Sequence, residues 1–179
     1  TAFGGLLATA ALRVMRDHVP SDRQLRTVTV TFIAPVSTGD VCVRSSSIRS
    51  GGSLTSVEGR VIQNDRVCTI LVAGFGASRP TNIMIDEQTR PEVAPPQEYA
   101  SLPYIEGIVP AFTQHFDFRM TNGLLPFSGA SEAHIQGWIR SRDEGAIDEA
   151  ALLSLIDAWP PPIWTLATRP IPGSTSSWQ

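Results

Sequence analysis

The first apolar run of the chain is too continuous for a helix lying on a surface. From Phe3 to His18, Leu6, Leu7, Ala8, Ala10, Ala11, Leu12, Val14 and Met15 are interrupted by charge only at Arg13, Arg16 and Asp17. A helix apolar nearly all round its first turns must be enclosed by other elements. The pattern then changes period: in TVTVTF, Val28, Val30 and Phe32 alternate with Thr27, Thr29 and Thr31, which predicts a strand rich in β-branched residues. Turn signals at Gly39-Asp40, at Ser50-Gly51-Gly52-Ser53 and at Asn64-Asp65 separate the runs VCVRSSSIR, LTSVEGRVI and VCTILVAGF. Links that short demand antiparallel neighbours. The stretch from Val67 to Phe75 is apolar on both faces, which predicts a place in the middle of the sheet.

The character shifts at residue 80. Pro80, Pro91, Pro95, Pro96, Pro103 and Pro110 mark an irregular connector over 80–110, dividing a first domain, 1–79, from a second, 111–179. In the second, FTQHFDFRM alternates, with Phe112, Phe116, Phe118 and Met120 on one face and His115, Asp117 and Arg119 on the other. That second face reads as solvated. A further strand is predicted over Ala133 to Arg140. Asp148 suits the N-cap of a helix in which Leu152, Leu155, Ile156 and Trp159 form an apolar stripe, and Pro160, Pro161 and Pro162 end it. The terminal STSSWQ reads as a strand. Helix, four strands, connector, two strands, helix, strand makes an α+β chain whose halves look like two copies of one unit.

Composition narrows the chemistry. The chain has 179 residues, 42% of them hydrophobic and 17% charged, with a net charge of −3, so it suits a globular protein. It lacks the basic footprint of a nucleic-acid partner or an anionic membrane surface. All 14 basic residues are Arg, which excludes Schiff-base and other lysine-dependent chemistry. Cys42 and Cys68 stand far apart among strand residues and read as small core side chains, with neither a zinc module nor a disulfide framework implied. A cytoplasmic setting fits them. TAFGGLLATA imitates part of a signal peptide but has no basic segment before it and reads as fold. No run reaches the roughly 20 residues of a membrane span. Because the chain starts inside one apolar pattern and stops inside a strand, it reads as a piece of a longer protein.

Particular residues point further. FGGLLATAALRV, LRTVTVTFIAPVSTGDVCV and IRSGGSLTSVEGRVIQNDRVCTILVAGFG resemble, in order, the first half of the double-hotdog acyl-CoA thioesterases of the type II family. The shared pattern is an F-G-G helix start (Phe3-Gly4-Gly5), a strand ending in F-x-x-P (Phe32 to Pro35), a turn at Arg49-Ser50-Gly51-Gly52-Ser53 and another at Gln63-Asn64-Asp65-Arg66. GWIRSRDEGAIDEAALLSLIDAWPPP resembles the strand and helix of the second hotdog. The resemblance implies a double hotdog, two antiparallel sheets each wrapping a long helix. Against the family pattern, the strand expected before the first helix is absent, and the second hotdog is incomplete, lacking its last strands.

It further implies hydrolysis of acyl-CoA to free acid and CoA by direct attack of water, within lipid metabolism, with no cofactor and no metal. Asp157 in LLSLIDAW matches the carboxylate that handles the water, and Thr175 in GSTSSWQ matches the hydroxyl beside it. A third polar group, a Gln in the family, falls beyond Gln179. Asp157 leaves the predicted apolar stripe for the face of Ala150, Leu153 and Ser154, and a carboxylate near a helix C-terminus opposes the macrodipole. Gly4 and Gly5 open the first helix, where backbone N–H groups can receive an oxyanion, although close helix packing is the commoner reason for glycine there. His115 and Asp117 share a strand face that His134 could neighbour, but a solvated face is far commoner than a His/Asp metal site, and no metal is expected. Two alternatives stay open: a hotdog that binds acyl-CoA or scaffolds a partner without turnover, and a hydratase acting on enoyl-CoA. The edges of hotdog sheets are candidate surfaces for homo-oligomerisation.

Overall fold

A computed structural model describes residues 1–87, 89–122, 124–143 and 145–169 and the backbone of 177–178. Two contact-dense units emerge. One comprises Thr1–Ile83, Ile147–Ser154 and Ser174–Gln179, the other Met84–Ala146 and Leu155–Gly173.

The first unit is built on the helix that the apolar run predicts. Helix α1 (Gly4–Met15) continues as one 3-10 turn to His18, and its N-cap, Phe3, makes no side-chain capping bond. Burial holds it instead: Leu7, Ala8, Ala11, Leu12 and Met15 are inside, and each large apolar side chain so enclosed contributes about 1.5–3 kcal/mol. Strands β1 (Arg23–Phe32), β2 (Cys42–Ser50), β3 (Leu54–Gln63) and β4 (Arg66–Ala77) form an antiparallel sheet in the order β2-β3-β4-β1, extended beyond β1 by the short β7 (Ser177–Trp178). β4, the two-sided apolar run, lies in the middle as its sequence predicts. Val30, Val57, Val61, Leu71 and Phe75 make the sheet's side of the core.

Local chemistry fixes the register. Asn64 and Asp65 both have positive φ, 51° and 58°, as a two-residue hairpin turn between Gln63 and Arg66 requires. Arg23 is buried at the start of β1; it donates to Thr55 Oγ1 and, at 2.7 Å, to the carbonyl of Gly51. Its guanidinium thereby ties the β2–β3 turn to β1. One predicted core residue is elsewhere: Cys42 is exposed, while Cys68 is buried. β2 is the sheet's edge, and its alternation leaves Cys42 on the side that receives no cover.

The second unit holds a two-stranded antiparallel sheet of β5 (Phe116–Met120) and β6 (Gly137–Ser141). Both are shorter than the alternation suggests. Residues Ala111–His115 form a 3-10 segment instead of strand, because Thr113 Oγ1 and Gln114 Nε2 bond back to the carbonyls of Pro110 and Ala111 and so compete with a sheet ladder. Phe118 packs against Trp159, with ring centroids 6.2 Å apart. Among the described residues no helix is long and apolar enough to cross a membrane.

The tightest approach of α1 to its sheet is at Gly59, where a Cβ would lie 2.5 Å from Sδ and 2.9 Å from Cγ of the fully buried Met15. Overpacking of this kind costs about 1–3 kcal/mol. Gly59→Ala is expected to lower stability by that amount in urea unfolding; an unchanged midpoint would mean that Met15 has room to move.

Candidate active site

Helix α2 (Glu149–Ala158) carries the residue on which the sequence-based assignment rests. Its start is fixed by Asp148, whose Oδ1 accepts the N–H of Ala151 at 2.6 Å, satisfying one of the donors a helix leaves unpaired. Within the first unit three further contacts seat it. Thr9 Oγ1 of α1 donates to the carbonyl of Ala150 at 2.7 Å. The Leu25 N–H, released where β1 shifts register between Leu25 and Thr27, donates to Glu149 Oε1 at 2.7 Å. A Cβ on Gly5 would lie 2.8 Å from Cα of Ser154. The two helices thus meet backbone to backbone, through small residues.

The predicted apolar stripe is borne out in half. Leu155 is buried and Trp159 packs against Phe118, but Leu152 and Ile156 are 49% and 56% exposed, while Ala150 and Leu153, outside the stripe, are buried. Close approach to α1 at Ala150 and Ser154 brings that side of the helix start inward and leaves Leu152 outside. Asp157 falls, by helical spacing, on the same face as Ala150, Leu153 and Ser154. It is half-buried and one residue short of the helix end, where a carboxylate opposes the macrodipole.

The other site residues divide. Thr175 lies outside the described residues. Gly5 is fully enclosed, its Cβ position filled by the Phe3 ring as well as by Ser154, which is what close packing requires; Gly4 precedes it as the first residue of α1. His115 and His134 are exposed.

Asp117 is the residue whose surroundings the sequence misrepresents. Its predicted face is not solvated: Asp117 is 3% exposed and accepts four polar contacts. Ser101 Oγ donates to Oδ1 at 2.5 Å, and Oδ2 receives Arg119 Nε and Arg140 Nε, each at 3.1 Å, with Arg119 Nη2 at the same distance. Burial disfavours the charged carboxylate, but the Ser101 hydroxyl and the two guanidinium groups outweigh it and hold the carboxyl below its ordinary value of 3.8. Arg119 Nη1 also donates to the carbonyls of Pro96 and Tyr99, and Trp138 Nε1 to that of Ala94. The connector is therefore strapped across this face of β5–β6. The available signal was the pairing of D-F-R with I-R-S-R, which puts two Arg and one Asp together only once the strand register is known.

Sequence comparison places the acyl-CoA thioesterase N-terminal domain on residues 1–76 and the acyl-CoA thioesterase C-terminal domain on residues 89–179. No curated protein matches. Among solved structures, a hot dog fold protein of unknown function from Alicyclobacillus acidocaldarius superposes with a TM-score of 0.86 at 24% identity, over 98% of this chain and 65% of its own. A candidate thioesterase II from Thermobifida fusca gives 0.80 at 19% identity, over 98% and 68%. An acyl-CoA thioesterase II from Mycobacterium marinum gives 0.65 at 22% identity, over 87% and 59%. The chain thus spans about two thirds or less of the length of these structures, and at such identities the likeness establishes the hotdog fold.

Removing the Asp117 charge is expected to destabilise the protein by about 2 kcal/mol at pH 7, since it leaves the largely buried Arg119 guanidinium without its carboxylate while the exposed Arg140 turns to solvent. The sign with pH follows from the depressed carboxyl. Its contribution is complete above the unfolded value near 3.8 and is lost as pH falls through the lower folded value. Urea midpoints of wild type and Asp117→Asn should stay well separated from pH 7 to 5 and converge below pH 4 or so; a gap that persists in strong acid would refute the ion-pair account.

Proposed function

Since this chain belongs to the acyl-CoA thioesterase family and has its hotdog fold, we propose that it hydrolyses acyl-CoA to a free acid and CoA, with Asp157 as the group that activates water. In this reading residues 1–79 supply the first hotdog and residues 111–179 belong to the second. The observation that carries the reading is the match of the N- and C-terminal thioesterase domains in family order along one chain. Asp157 adds to it as a half-buried carboxylate in the last turn of a helix, where the macrodipole disfavours an acid.

The chemistry needs no covalent enzyme intermediate. The Asp157 carboxylate takes a proton from a water as its oxygen attacks the thioester carbonyl. The carbonyl π electrons move to oxygen, and backbone donors there stabilise the oxyanion. Collapse of the tetrahedral adduct breaks the C–S bond, and the thiolate leaves as CoA, taking up the proton. The Thr175 hydroxyl, by family resemblance, gives the water its second contact. Gly4 and Gly5 are the family-based choice for the oxyanion, and Gly5 also has the packing role described above.

Thiol release from a series of acyl-CoA esters, measured on the protein expressed from its complete reading frame, tests the proposal. Wild type is expected to turn over, and Asp157→Asn to fold normally while losing 10²–10⁴ of the rate, the usual contribution of general-base catalysis. Binding of acyl-CoA without turnover by wild type would replace hydrolysis with a carrier or scaffolding role. Equal rates for the two proteins would remove Asp157 from the mechanism.

A further inference from the structure

The strapped face of β5–β6 has more positive charge than its own structure uses. Asp117 faces Arg140 across the strands and Arg119 faces Trp138, so these four side chains share one face. Arg119 is fully committed, to Asp117 and to two connector carbonyls. Arg140 is not. It reaches Asp117 through Nε alone, its side chain is 72% exposed, and among the described residues nothing engages its two terminal nitrogens. One carboxylate is thus set against two guanidinium groups, and a third, Arg90, lies 5.7 Å from the centroid of the Trp138 ring. In a chain of net charge −3, this is a local surplus of positive charge, in which Asp117 is the one ion-paired acid among the described residues.

Beside that surplus is a cavity of about 220 Å³, lined by Pro96, Gln97, Asp117, Arg119, Trp138 and Arg140 among others. Its size decides what it can take. It is several times the roughly 30 Å³ share of a water molecule, so a bare oxyanion leaves most of it empty. It is smaller than the roughly 300–1,000 Å³ of sites for drug-sized ligands, a size that suits one ring better than a whole nucleotide. The walls set the rest. Pro96 and Trp138 present carbon surface, indole and guanidinium planes both stack on flat rings, and the spare nitrogens of Arg140 form the two-pronged fork that carboxylate and phosphate fit.

We propose that this pocket, between the connector and the outer face of β5–β6, binds a small organic anion: one carboxylate or phosphate group on a single flat ring. Trp138 and Pro96 hold the ring, and Arg140 holds the head. Asp117 and Arg119 position the site, the first by orienting Arg140 and the second by fixing the connector over it. The inference does not rest on hydrolysis of acyl-CoA, because no group assigned to that reaction lines the pocket.

Calorimetric titration of the complete protein with benzoate, phenyl phosphate, inorganic phosphate and adenosine 5′-monophosphate tests it. At least one of the two single-ring anions is expected to bind saturably, and the stronger of them identifies the head group. Inorganic phosphate and the nucleotide should each bind at least tenfold more weakly. Arg140→Gln should weaken the ring anion at least tenfold, the effect of losing a charge-assisted pair. Gln97→Trp, a change at an exposed connector residue, should fill the cavity and abolish binding with the Asp117 network intact. Absence of binding by either ring anion, equal binding by inorganic phosphate or the nucleotide, or full affinity in Gln97→Trp would each overturn the proposal.

Discussion

The first unit depends on how closely helix α1 can be enclosed. On the sheet side the limit is set at Gly59, beneath Met15; on the other it is set at Gly5, against the backbone of Ser154. Neither position has space for a methyl group. A helix gripped this tightly loses the freedom to rotate or slide, and α2 is seated against it by the same contacts, through Thr9, Ala150 and Ser154. Interiors packed to crystal-like density transmit such constraints. The seating of α2 up to Ser154 is inherited from α1.

Much of this was legible in the sequence. Hydrophobic period located α1, β1 and the central place of β4, and the turn signals between the runs delimited the other strands of the first sheet. The Asn64-Asp65 turn and the Asp148 cap were legible for a different reason, since their side chains act on backbone groups only two or three residues away. What failed was whatever depended on a distant partner. Of the stripe of Leu152, Leu155, Ile156 and Trp159, Leu155 and Trp159 do pack inward, but Leu152 and Ile156 are exposed, because a helix that approaches another through glycine also buries its alanine side. Cys42 looked like core because its strand neighbours are valines, but an edge strand has cover on one side only.

The candidate site divides along the same line. Asp157 was named by resemblance and by its poor fit to the helix dipole, a local argument. Asp117 was passed over because alternation assigns a charged residue to solvent by default. Only the β5–β6 register brings Arg140 opposite it, and only the fold of the connector brings Ser101. Burial of the charge is then tolerated because each carboxylate oxygen has donors in place, a condition that sequence separations of 16 and 23 residues conceal.

The connector is held in an unusual way. Arg119 and Trp138 grip it at the carbonyl oxygens of Ala94, Pro96 and Tyr99, and main-chain oxygens are the same whatever side chain they accompany. The anchor is therefore blind to the identity of most residues it holds. Evolution can rewrite this segment, exchanging its acids, amides and aromatics, without loosening it, while Arg119 and Trp138 have no such licence. Divergence among relatives should then concentrate in the strap and spare its two clasps.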